Sequence, residues 1–179
     1  MQFSSIFLSI LASAAAAAAN TVTFQSQDGT GRTIVFTPNA GYSELPDVYV
    51  EGHGTAVAEF PQGWIGNWYS VSDGSARSPG MLGEVAFQGW NGLTYFDVSA
   101  IVNANDHVGV KEMWPKNSNS PTSGCKVFPC SNAYYLPDDV QTKTTQETDL
   151  VCTLGGSGSS KRDEDEDGNV KRDFVLGKW

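Results

Sequence analysis

Residues 83–99 read GEVAFQGWNGLTYFDVS. Glu84 opens one short apolar run, Asp97 closes another, and Gly89-Trp90-Asn91-Gly92 between them has the composition of a turn. The spacing predicts two strands, near Glu84–Phe87 and Leu93–Val98. Two carboxylates so placed either face each other across a groove or stand solvated on the outside of a sheet.

Working outward, the same strand-and-turn grammar recurs. TVTFQS (21–26) and RTIVFT (32–37) flank Asp28-Gly29-Thr30-Gly31 and predict a hairpin. DVYVE (47–51) and TAVAEF (55–60) flank Gly52-His53-Gly54 and predict a second. Trp64–Ser72 is an aromatic-rich strand, and Asp149–Leu154 is the last. Between Asn103 and Thr148 the signal fades apart from Val108–Trp114, and Pro115–Gly124 reads as loop. No stretch keeps apolar residues at the three-and-four spacing of a helix, so an all-β sandwich is expected.

The ends differ in composition. Residues 1–19 combine an apolar Ile6–Leu11 core with an alanine run suited to signal-peptidase cleavage, so a secretory leader cut after Ala19 is expected. Residues 155–179 begin as a Gly/Ser linker and continue as an acidic tail. That tail carries Lys-Arg pairs at 161–162 and 171–172, sites for a kexin-type protease. The folded unit is then 20–154, a single domain expected to be monomeric. It holds fourteen acidic and six basic residues, a balance of −8. With no Lys/Arg cluster in that unit, phosphate binding by counterion release is disfavoured, so no nucleic-acid partner is expected. No later run is long enough to span a membrane.

An oxidising route predicts at least one disulfide among Cys125, Cys130 and Cys152, and spacing alone does not choose the pair. His53 and His107 lie in loops without companions at ligand spacing, so no zinc site is expected. A calcium site would have to use Asp138, Asp139 and carbonyls. Neither a metal nor a cofactor is expected.

Four stretches together resemble the thaumatin-like proteins, in particular short fungal-type members. They are GMLGEVAF (80–87), LTYFDVSAIVN (93–103), SPTSGCKVFPC (120–130) and NAYYLPDDVQTKTTQETDLVC (132–152). The resemblance spans about residues 64–154 and implies a β-sandwich with an acidic cleft, here lacking the family's disulfide-rich second domain. It implies a Cys125–Cys152 bridge, which would contribute about 3–4 kcal/mol in the chain-entropy model. Glu84, Asp97 and one of Asp138 or Asp139 match cleft acids. A fourth acid falls on Val102, and the cleft arginine is absent, with Arg77 the nearest basic residue.

Paired carboxylates suit glycoside hydrolysis, with Glu84 as proton donor and Asp97 as base. Asp138, Asp139, Trp90 and Tyr95 would bind substrate, Trp90 as an exposed platform. The expected function is therefore secreted or cell-wall-associated binding of β-glucan, with weak β-1,3-glucanase-like hydrolysis at most. Two alternatives stand beside it: a non-catalytic secreted effector or surface antigen, and a secreted nuclease. The residues favour the nuclease least.

Overall fold

The structure is a computed structural model describing residues 20–156. The expected leader and the dibasic pairs lie outside the described residues. Within them the chain forms strands β1 (Asn20–Ser26), β2 (Arg32–Pro38), β3 (Val48–Val50), β4 (Thr55–Phe60), β5 (Ile65–Ser72) and β6 (Leu82–Ala86). There follow β7 (Thr94–Ser99), β8 (Val110–Pro115), β9 (Ser123–Gly124), β10 (Lys143–Thr145) and β11 (Asp149–Leu154). One sheet runs β4-β1-β11-β8-β9 and the other β10-β7-β6-β5-β2-β3.

The alternation of the strands builds the core between the sheets. Val22 and Phe24 of β1, Met113 of β8 and Leu150 of β11 meet Ile34, Phe36, Trp68, Val85 and Phe96 of the other sheet, all buried. Aromatic rings knit the middle edge-to-face, with Phe24–Trp68 and Phe36–Phe60 centroids each 5.5 Å apart. Trp68 also decides its cross-strand neighbour Gly83. A β-carbon on Gly83 would come within 2.6 Å of the Trp68 indole, so the fully buried ring needs the missing side chain.

Both expected hairpins are corrected. β1 and β2 lie in different sheets, as do β3 and β4. β1 instead pairs antiparallel with β4 and parallel with β11, while β2 lies between β5 and β3. The physical reason is a corner built on Arg32, which is 1% exposed. Its guanidinium donates to both oxygens of Asp28 at 2.8 Å, to the Ser26 hydroxyl at 3.0 Å and to the carbonyls of Thr30 and Val108, each at 3.0 Å. A guanidinium satisfied on all sides holds residues 27–31 across the end of the sandwich rather than in a tight turn. The second turn packs onto the first: His53 N–H donates to the Asp28 carbonyl at 2.7 Å. A β-carbon on Gly52 would fall 2.2 Å from the Gly29 carbonyl oxygen.

The disulfide is also corrected. Cys125 pairs with Cys130, their Cα atoms 6.4 Å apart, and Cys152 is a free, buried thiol. Cys152 sits on β11, between β1 and β8, with its side chain in the core. Cys125 and Cys130 lie at the rim of that core, where a short loop over buried Phe128 folds them together. Closing so short a loop gives about 2 kcal/mol in the chain-entropy model, less than the implied pairing would have.

Candidate functional site

The turn at 89–92 forms as expected and joins β6 to β7 as antiparallel neighbours. Glu84 and Asp97 are directly opposed in that register. Val85, Phe96 and Val98 take the core side, so alternation puts Glu84 and Asp97 together on the outer face. Asn67 of β5 is opposite Glu84 on its other side. The row Asn67–Glu84–Asp97 thus crosses three strands, and its side chains line a depression of about 200 Å³ whose rim includes Asn39 and Tyr95.

The two carboxyls occupy different surroundings. Glu84 is half-buried, whereas Asp97 is only 8% exposed. Asp97 Oδ2 accepts from the Thr142 hydroxyl at 3.1 Å, and the Tyr134 hydroxyl lies 2.8 Å from that of Thr142. Thr142 has one hydroxyl proton, so with that proton on Asp97 the relay runs Tyr134 to Thr142 to Asp97. Asp97 Oδ1 is buried and meets no hydrogen-bond partner among the described residues. Burial, then the Glu84 carboxyl alongside, raise the Asp97 pKa to about 7; Thr142 and Lys143 act the other way. At mildly acidic pH the pair can hold a proton between them.

The structure gathers Glu84, Asp97 and Tyr95 and leaves the other expected residues apart from them. Asp139 accepts from the Tyr135 and Leu136 N–H groups at 2.8 and 2.9 Å, closing its own turn, and this holds its pKa down. Asp138 is exposed, and neither aspartate lines the depression. Arg77 does not replace the missing cleft arginine, because it forms an exposed ion pair with Asp47. Val102 is exposed and also lies outside the depression. Trp90 is 80% exposed. Its carbonyl accepts from the Tyr95 hydroxyl at 3.1 Å, which ties the tryptophan turn to the rim.

Sequence reasoning passed over Thr142. Thr142 comes within reach because the edge strand β10 pairs along β7, and that short edge strand carries little pattern of its own. A second depression, of about 170 Å³, contains Asp106, whose carboxylate is consumed by the N–H groups of Met81, Val108 and Gly109.

Over 138 residues, 77% of this chain and 96% of the relative, the sequence is 55% identical to the antigenic protein SchS21 of Stachybotrys chartarum. The chain belongs to the family of that antigen. No protein-family model matches the chain. The fold is similar to that in the crystal structure of the protein elicitor MoHrip2 from Magnaporthe oryzae, at a TM-score of 0.56 and 14% identity. The overlap covers 77% of this chain and all of the elicitor. At that identity the likeness speaks for the fold alone. Membership in the SchS21 family and a two-sheet β architecture, consistent with the expected sandwich, are what these likenesses show. No helix among the described residues is long and apolar enough to cross a membrane.

Proposed function

We propose that this protein works outside the cell as an antigen- or effector-type protein, acting through its surface and turning over no substrate. The observation that carries the reading is the 55% identity to the SchS21 antigen along nearly all of that protein's length. The Cys125–Cys130 bridge fits an oxidising compartment. The acid pair supports the non-catalytic half of the reading. Its depression, at about 200 Å³, is smaller than the roughly 300–1,000 Å³ usual for ligand pockets. Hydrolysis needs an acid and a base reaching a scissile bond from separate positions. Here the would-be base is buried, and both carboxyls stand side by side on one sheet face. The test is recognition by antiserum raised against SchS21, applied to culture medium and to cell extract of a secreting host. Recognition of folded protein in the medium is expected, and retention in the cells without recognition would contradict the reading.

One observation favours a second reading, binding of β-glucan. Trp90 presents an open aromatic face beside the rim residue Tyr95, and such faces stack on sugar rings. Co-sedimentation with insoluble β-1,3-glucan at pH 5 decides it. Loss in both Trp90→Ala and Glu84→Gln supports a glycan surface, and a wild type that stays in the supernatant removes the reading.

A further inference from the structure

Asp97 lines a water-sized depression, and its buried Oδ1 has an unmet hydrogen-bonding capacity among the described residues. A buried carboxylate oxygen without a donor is costly unless a proton or a cation reaches it. Every side chain in the row beside it offers oxygen: the Glu84 carboxylate directly opposite, then the Asn67 amide carbonyl one strand further. Hydrogen bonding does not engage Glu84 or the Asn67 side chain elsewhere among the described residues, so their oxygens remain available.

We propose that Asp97, Glu84 and Asn67 form a binding site for a hard divalent cation, calcium fitting best. Two carboxylates and an amide carbonyl are the oxygen donors such ions select, and calcium accepts an irregular set completed by water. A depression of about 200 Å³ leaves room for several waters at about 30 Å³ each. The cation would neutralise the repulsion between the two carboxylates and supply the partner Oδ1 lacks. Thr142, with Tyr134 behind it, holds Oδ2 and so fixes the orientation of the Asp97 carboxyl. The charged or titratable groups around Asp97 are Glu84 on β6, Lys143 on β10, Tyr134 behind Thr142 and Tyr95 on its own strand. Lys143, the sole cation of that set, pairs with Phe96 in the strand register rather than with Asp97 itself. This inference does not depend on the antigen or effector reading, because an ion site can serve a binding surface or simply brace the sheet.

The experiment is thermal unfolding of the secreted full chain with calcium, magnesium or a chelator, at pH 8. An affinity typical of extracellular calcium modules, Kd of about 0.5 mM, predicts that 5 mM calcium raises Tm by about 5 °C at pH 8. Glu84→Gln, which substitutes a half-buried residue without adding volume, should abolish the pH 8 shift. Asp97→Asn should do the same, while Glu59→Gln on exposed β4 should retain it. Equilibrium dialysis with radioactive calcium should find one ion per wild-type chain and none in Glu84→Gln. A wild-type Tm indifferent to both ions at pH 8 would overturn the proposal. So would a shift that survives in both Glu84→Gln and Asp97→Asn.

Discussion

Glu84 and Asp97 are paired residue against residue on β6 and β7, and only Asp97 is buried. The asymmetry matters because like charges on adjacent strands repel most where water cannot screen them. Burial first, then the Glu84 carboxyl alongside, pushes the Asp97 carboxyl up to about 7 from its usual 3.8.

Stability should fall as pH rises through the interval set by that shift. The folded chain keeps a proton on Asp97 up to about pH 7, while the unfolded chain releases it near 3.8. The native state therefore binds more protons between those values, and ΔG of unfolding decreases with pH there by a few kcal/mol, at most about 4. Asp97→Asn cannot ionise and still accepts from Thr142. Urea unfolding at pH 5 and pH 8 in the presence of chelator should show the decline in the wild type and a much flatter response in Asp97→Asn.

The opposite slope belongs to Asp28. Its bond to the Arg32 guanidinium leads the causes that hold its pKa at about 2, so its contribution is present above about pH 4 and lost as pH falls toward 2. Asp28→Asn leaves a guanidinium that is 1% exposed without its counter-charge. A loss of about 3 kcal/mol in unfolding free energy is expected at pH 7. A loss under about 1 kcal/mol would mean that the corner does not depend on the ion pair.

Cys152 should be silent in the native protein. Burial pushes its thiol up to about 12, with Trp68 beside it acting the other way. Alkylation by iodoacetamide at pH 8 should label no cysteine in the folded chain and one after unfolding without reductant. Peptide mapping should then find Cys125 joined to Cys130. A peptide joining Cys125 to Cys152 would refute the described packing of β11.

The contrast between these residues shows what the sequence could and could not reveal. The β6–turn–β7 unit was legible because short apolar runs holding Glu84 and Asp97 flank a Gly-Trp-Asn-Gly turn, a purely local signal. Most strands were legible for the same reason. Strand partners were not, because β1 and β2 read as a hairpin until Arg32 is seen to be buried between four acceptor residues. A charged residue in a strand pattern carries no mark of its burial. β10 was missed because Lys-Thr-Thr owes its extension to pairing with β7, a long-range cause. The same cause hid Thr142, and with it the group that orients Asp97.

Gly83 and Trp90 should mark the two extremes of the sheet. Gly83→Ala drives a β-carbon into the Trp68 ring and should cost about 1–3 kcal/mol, read as a lowered urea midpoint. Trp90→Ala removes an exposed side chain and should change stability by no more than about 0.5 kcal/mol. It should also remove much of the acrylamide-quenchable tryptophan fluorescence. A large stability loss in Trp90→Ala would show that the turn packs more tightly than described.

The most direct measurement of the functional account is reducing-end release from β-1,3-glucan across pH 4–8, wild type beside Glu84→Gln. A surface-acting, non-catalytic protein predicts release at the level of buffer for both chains at every pH. Release by the wild type that vanishes in Glu84→Gln would contradict the account and make the acid pair a catalytic centre.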